Sequence, residues 1–190
     1  MVTCRPTKKK AEEAIRTLIR YIGEDIEREG MKDTPSRVIK SYDELFSGYD
    51  AKIGEILNTK FYDISNFNGI VLLKSIRFSS CCEHHMLPFT GFVDIAYLPN
   101  GFVVGISKMA RLVDAYSKRL QIQEKMTSDI ANAIHEHLNP LGVAVKISAS
   151  HSCMTSRGPM QPGSLLESNE FRGVFKKRSE YRQEFWQMLK

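Results

Sequence analysis

The sequence predicts an α+β fold, and three observations carry that prediction. Helical periodicity dominates the first fifty or so residues, and from Gly69 the texture turns to short β-rich runs. Two longer helical stretches then precede a further strand. At 190 residues and 42% apolar content the chain can bury one ordinary core. A single structural unit is therefore expected, with an N-terminal helical segment over 1–68 and the sheet-bearing region over 69–190.

Each element has its own local cause. From Lys8 to Arg28 the residues Ala14/Ile15, Leu18/Ile19, Tyr21/Ile22 and Ile26 share one helical face, and Gly30 is placed to end the helix. Asp33-Thr34-Pro35 offers a cap and a first-turn proline for a second helix reaching about Leu45. Ser47-Gly48-Tyr49-Asp50 breaks it, and a short helix fits Ile53 to Leu57. Ile70 to Ser79 is β-rich, and Gly91 to Leu98 alternates through Phe92, Val93, Ile95 and Tyr97. Pro99-Asn100-Gly101 is a turn signal that predicts a hairpin between this second strand and Phe102 to Ile106. Helices follow over Ser107 to Leu120 and Gln123 to Leu138, the second closed by Gly142 after Asn139-Pro140. Val143, Val145, Ile147 and Ala149 then mark one face of a strand from Val143 to Ser150. A loop over 158–168, a short strand from Phe171 to Phe175 and a terminal helix from about Glu180 complete the chain.

Bulk composition excludes little by itself. A formal charge of +5 suits an anionic ligand as well as nucleic acid. No apolar run approaches the ~20 residues that span a bilayer. Basic Met1 to Lys10 is followed by no apolar stretch and cleavage site, so a cytoplasmic protein without a signal peptide is expected. Of the four cysteines, Cys81 and Cys82 are neighbours, which rarely bond each other. Reduced thiols used for metal binding or catalysis are the better expectation, with Cys4 idle near the terminus.

Three of the five histidines and two of the cysteines fall in two short words, Cys82-Glu83-His84-His85 and His151-Ser152-Cys153. Cys82 and His85 are spaced so that one turn of backbone can aim both at one ion, and Cys153 can add a third ligand. Three ligands of mixed sulfur and nitrogen type suit Zn²⁺ with a coordination position left for water. In extended backbone His151 and Cys153 would share a face, so two strand ends can converge on one cavity. A closed structural zinc holding Cys82, His84 or His85, His151 and Cys153 is the competing arrangement. Adjacent histidines diverge in direction, however, and one beside the metal suits proton transfer near neutral pH. Cys81 could replace Cys82, although a bystander thiol packed on the core is the simpler role.

The words around these residues resemble the central motifs of the GTP cyclohydrolase I family. They are Cys82-Glu83-His84-His85-Met86-Leu87-Pro88-Phe89, Ala96-Tyr97-Leu98-Pro99-Asn100-Gly101, Gly105-Ile106-Ser107-Lys108, Gln121-Ile122-Gln123-Glu124-Lys125-Met126-Thr127 and His151-Ser152-Cys153-Met154. The likeness runs in order from Asp33-Thr34-Pro35-Ser36-Arg37 to about Phe175, which is far more specific than one short pattern. It implies a tunnelling fold, an antiparallel sheet with helices packed on one side, assembled as a toroidal homodecamer with active sites at subunit boundaries. It also implies that GTP and water give formate and 7,8-dihydroneopterin triphosphate. Zn²⁺ would be held by Cys82, His85 and Cys153, while His84 and His151 serve the proton steps.

That chemistry explains the residue types. Water is a poor nucleophile at neutral pH, and zinc brings the pKa of its bound water to about 7, as attack on C8 of a purine needs. Guanine presents two adjacent donors, N1–H and the 2-amino group, and a carboxylate accepts both, so Glu124 is the natural reader, with Gln123 beside it by resemblance. Adenine would leave one carboxylate oxygen unpaired. At a helix start, Ser107, Lys108 and Arg111 suit a triphosphate, with Lys108 and Arg111 on one face. Arg157 and Arg37 join them by resemblance, Arg37 from another subunit. His135 and His137 fall at a helix C-terminus and are expected to be exposed. After Arg157-Gly158 the run Pro159-Met160-Gln161 departs from the common family pattern. A nitrile reductase of the same fold would want a cysteine nucleophile and no catalytic zinc. A zinc-stabilised protein that holds a guanine nucleotide without turning it over is the alternative outside enzymes.

Overall fold

The computed structural model describes residues 5–190, so Cys4 lies outside the described residues. The chain divides into two compact units, one ending at Ser47 and one running from Gly48 to Lys190.

The first unit holds α1 (Lys8–Tyr21) and α2 (Thr34–Leu45). Thr7 caps α1 by accepting a hydrogen bond from the Lys10 backbone N–H at 3.4 Å. The helix ends at Tyr21 rather than Arg28, because Gly23 adopts φ +85°, a left-handed terminator open to glycine at little cost. Its N–H donates to the Arg20 carbonyl, and that of Glu24 to the Ile19 carbonyl. α2 begins with Pro35 in its first turn, as expected. Asp33 makes no side-chain cap bond; its carboxylate instead accepts from Arg37 at 3.3 Å.

The second unit opens with a 3₁₀ turn ending at Asp50, then α3 (Ile53–Ile56) and β1 (Lys60–Phe61). The long strands β2 (Val71–Cys82) and β3 (Pro88–Leu98) follow, then β4 (Val103–Val104), α4 (Ile106–Ser117), β5 (Leu120–Gln121) and α5 (Gln123–Leu138). The chain finishes with β6 (Gly142–His151), α6 (Ser152–Thr155), β7 (Leu166–Gly173), α7 (Val174–Lys177) and α8 (Ser179–Leu189). Five strands form one sheet in the order β5-β2-β3-β6-β7, antiparallel throughout except for the short parallel pairing of β5 with β2.

The hairpin expected across Pro99-Asn100-Gly101 does not form. β3 has both edges occupied, by β2 from Val71↔Tyr97 to Cys81↔Pro88 and by β6 from Phe89↔His151 to Leu98↔Gly142. Val103 and Val104 therefore pair with β1, and the Tyr97 hydroxyl, accepting from the Val104 N–H at 3.1 Å, ties them back to β3. Asn139, at φ +45°, closes α5, where Gly142 was expected to. Gly142 opens β6 instead, where a side chain would press on Val174 and Phe175. The last strand starts at Leu166 rather than Phe171, and Phe175 lies in α7.

Alternation sorts the strands' side chains between two faces. Ile76 and Phe78 of β2, Val93 and Ile95 of β3, and Val143, Val145 and Ile147 of β6 pack beneath Leu112 and Val113 of α4 and Met126, Ile130 and Ile134 of α5. On the other face Ala96, Leu98 and Ala144 meet Phe175 and Phe185 from the C-terminal helices. His137 is exposed, but His135 is half-buried, with its Nδ1 sealed from solvent and unpaired.

Candidate metal centre and active site

Strand register brings the two histidine–cysteine words together. Cys82, last in β2, lies beside Gln121, last in β5, and Cys81 faces Pro88 at the start of β3. Phe89, next along β3, faces His151, last in β6. One end of the sheet thus carries Cys82, the start of α5 and the start of α6.

The chain folds tightly after Cys82. Its carbonyl accepts from the N–H groups of Met86 at 2.8 Å and His85 at 3.4 Å, while its own N–H donates to the Leu87 carbonyl at 2.9 Å. Met86 takes a left-handed φ of 53° to complete the turn. His85 is thereby folded back on Cys82, with Nδ1 3.9 Å from Sγ. Cys153 arrives from the other side, in the single turn of α6. The expected extended geometry from His151 to Cys153 gives way here, since β6 stops at His151 and the chain coils.

The ligand atoms of Cys82, His85 and Cys153 all lie within 4.8 Å of one another. A tetrahedral ion with bonds of about 2.0–2.3 Å separates its ligands by about 3.5–3.8 Å, so small adjustments close these three on one ion. Burial, and then the neighbouring Cys82, push the Cys153 thiol up from its ordinary value, with Arg157 opposing. Two thiols packed this way gain from a cation between them, because the ion stabilises both as thiolates. The cluster fits a metal site.

The remaining candidates fall outside that cluster. His84 is exposed, and its ring stands at 90° to that of His85 with centroids 6.2 Å apart. Cys81 occupies the opposite face of β2, and burial pushes its thiol up as well. His151 stacks on Phe89 with ring centroids 4.4 Å apart and planes within 5°, and its Nε2 lies 3.0 Å from Oε1 of Gln123. Burial pushes His151 below the usual histidine range, with the nearby Glu124 carboxylate pulling the other way. Glu124 is exposed in the first turn of α5, whereas Gln123 is only 1% exposed. A cavity of about 260 Å³ opens beside His151, lined by Met154, Leu165 and Leu166 among others. Exposed Arg157 follows α6, and the divergent run Pro159-Met160-Gln161 is tied back to it by the Gln161 N–H on the Met154 carbonyl at 2.9 Å.

The expected phosphate contacts are not gathered there. Lys108 and Arg111 line a different cavity of about 500 Å³ with Asp50, Lys52, Glu55 and Ile56. Ser107 shares the Lys108 end of α4, while the other end of that helix leads into β5 at the metal end of the sheet. Helical rise of about 1.5 Å per residue puts about 17 Å between those two ends, with Arg111 midway between them. Arg37 belongs to the first unit, paired with Asp33. Sequence reasoning missed Phe89 as the stacking partner of His151, and Thr127 and Ser168 as the groups behind Gln123.

An α+β fold whose strand ends converge on a Cys–His–Cys cluster defines a class: an enzyme-like scaffold with a site fit for metal. The particular family follows from comparison. The family model described as GTP cyclohydrolase I matches residues 11–190, and the chain belongs to that family. It is 59% identical over 181 residues to "GTP cyclohydrolase 1" of Rickettsia felis, covering 95% of each chain. The same-named protein of Rickettsia bellii is 58% identical over 185 residues, covering 97% of this chain and 96% of that one. The chain is accordingly a hydrolase with the tunnelling fold. Solved structures resemble it more distantly. An apo QueF-like archaeosine synthase gives a TM-score of 0.48 at 23% identity over 57% of this chain and 97% of that one. E. coli dihydroneopterin aldolase in complex with neopterin gives 0.44 at 13% identity over 55% and 99%. Among the described residues no helix is long and apolar enough to cross a membrane.

Proposed function

We propose that this chain hydrolyses GTP at C8 as a zinc enzyme, releasing formate and forming 7,8-dihydroneopterin triphosphate for pterin and tetrahydrofolate biosynthesis in the cytoplasm. The observation that carries the proposal is the Cys82–His85–Cys153 cluster, joined by no fourth ligating side chain among the described residues. Three ligands leave a tetrahedral ion one position for water, the arrangement of catalytic rather than structural sites. A zinc ion held there would supply Lewis acidity, making water nucleophilic near neutral pH.

The chain's own residues do the rest. Glu124 accepts the N1–H and 2-amino donors of guanine, which fixes the base and discriminates against adenine. His151, kept neutral by burial, is suited to take and return a proton as the ring nitrogen gains one on C8–N cleavage. His84, exposed beside the cluster, is the second candidate, including for protonation of the ribose ring oxygen as the sugar opens. Arg157 lies on the same side as Cys153 and suits the phosphates. Ser107, Lys108, Arg111 and Arg37 complete the anion site from further copies of the chain, because Lys108 and Arg111 line a cavity apart from the metal end of their own subunit. A ring of ten subunits with sites at its boundaries, as the family resemblance implies, would supply those copies.

The balance is GTP plus one water giving formate plus the dihydropterin triphosphate. Zinc-loaded protein is expected to release one formate per GTP consumed and to form a product that fluoresces as a pterin after oxidation. A metal-replete preparation that binds GTP and releases no formate would identify a nucleotide-binding protein instead.

A further inference from the structure

The Gln123 side chain is committed on every side to protein partners, although it sits beside the residue proposed to read guanine. Its Nε2 lies 3.2 Å from the Ile147 carbonyl, 3.0 Å from the Leu166 carbonyl and 3.0 Å from Ser168 Oγ. Two of those three acceptors carry no hydrogen, so the amide cannot be turned over without setting oxygen against oxygen. The third is oriented as well. Thr127 gives its one hydroxyl hydrogen to the Gln123 carbonyl at 2.7 Å, so the Ser168 hydroxyl, 2.7 Å from Thr127 Oγ1, donates to Thr127. Ser168 is left offering a lone pair to the amide. The Gln123 oxygen must then be the atom that faces His151.

An amide oxygen only accepts, so Nε2 of His151 carries the hydrogen across the 3.0 Å contact. Nδ1 makes no hydrogen bond to the described residues and is not sealed from solvent. Phe89, stacked on the ring and itself 1% exposed, restricts the tilt of the imidazole. We propose that Gln123 is a positioning residue, whose buried amide locks His151 in the Nε2–H tautomer and leaves the bare Nδ1 as the ring nitrogen without a partner among the described residues. The proposal rests on the assignment of His151 to proton transfer and reassigns the Gln123 side chain from substrate contact to support of that histidine.

Two measurements test this on the assembled, zinc-loaded protein. In ¹⁵N-histidine spectra, with the His151 signal identified by its loss in His151→Asn, neutral His151 is expected as a single species with protonated Nε2 and bare Nδ1. The Nδ1–H tautomer, or a mixture of the two, overturns the lock. Gln123→Met, similar in length but unable to accept, is expected to lower kcat on the order of 10–100-fold, with KM for GTP and zinc content unchanged. A raised KM with unchanged kcat would mean that the amide touches substrate and would overturn the proposal, as would wild-type kinetics. Should Gln123→Met fail to fold, the wild-type spectrum still decides. Full activity in His151→Asn would instead remove the proton-transfer role, whatever the tautomer.

Discussion

The two ends of α4 belong to regions built on opposite plans. At the metal end, Cys82, His85 and Cys153 lie within 4.8 Å of one another, and His151 is held between Phe89 and Gln123. These groups are fixed by strand register and by buried partners, all inside one chain. At the other end Lys108 and Arg111 line an open cavity with both signs of charge. On the proposed function, the contrast would put bond-making geometry within the subunit, where errors of an ångström cost rate. Anion binding tolerates looser placement and can be left to assembly, since long cationic side chains reach and reorient.

Variants can break or sharpen this contrast, and their expected effects fall in a clear order. Cys153→Ala should abolish zinc retention and cut formate release by at least about 10³-fold, because the reaction loses Lewis acidity worth several kcal/mol. Metal analysis and a formate assay on the same sample check it, and an active variant without zinc would remove the metal end from the chemistry. His151→Asn should lower kcat by about 10²–10⁴-fold while keeping zinc. Zinc loss in that variant would make His151 a ligand and close the centre. Glu124→Ala should raise KM for GTP by about 10–100-fold, the scale of lost hydrogen bonds to a charged group. Its zinc content should stay normal, and zinc loss there would contradict the role assigned to Glu124.

The smallest effect belongs to the other end of α4. Arg111→Ala should raise KM by up to about tenfold, and more salt should shrink the difference, as for a solvated phosphate contact. Assayed at GTP well below KM, subunits of His151→Asn mixed with subunits of Arg111→Ala by dissociation and reassembly should give a kcat/KM above that of either variant alone, provided Arg111→Ala by itself raises KM more than about threefold. No recovery would place both residues in one subunit's site and erase the distinction between the two regions.

Much of this was legible in the sequence where a local pattern decides the outcome. α5 runs from Gln123 to Leu138 as its periodicity predicts, and Cys82, His85 and Cys153 cluster, although Cys153 arrives in a helical turn and not in the extended backbone its spacing suggested. Features set by distant pairing were not legible. Gly30 was expected to end α1, whereas the backbone turns left-handed at Gly23 and the helix stops there first. Leu166-Glu167-Ser168-Asn169-Glu170 carries no strand signature and becomes β7 because β6 offers an edge. The same pairing carries Ser168 to the Gln123 amide, a contact across 45 residues that no motif announces. Phe89 likewise becomes a stacking partner only through its register with His151.

The central claim is that one cation is held by two sulfurs and one imidazole nitrogen, with its remaining position free of protein. Zinc-edge X-ray absorption on the loaded, active protein measures that directly. The expected first shell is two sulfur and two lighter ligands, with outer-shell scattering from a single imidazole. A third sulfur, or scattering from two imidazoles, would mean that a fourth side chain fills the position and would contradict the account.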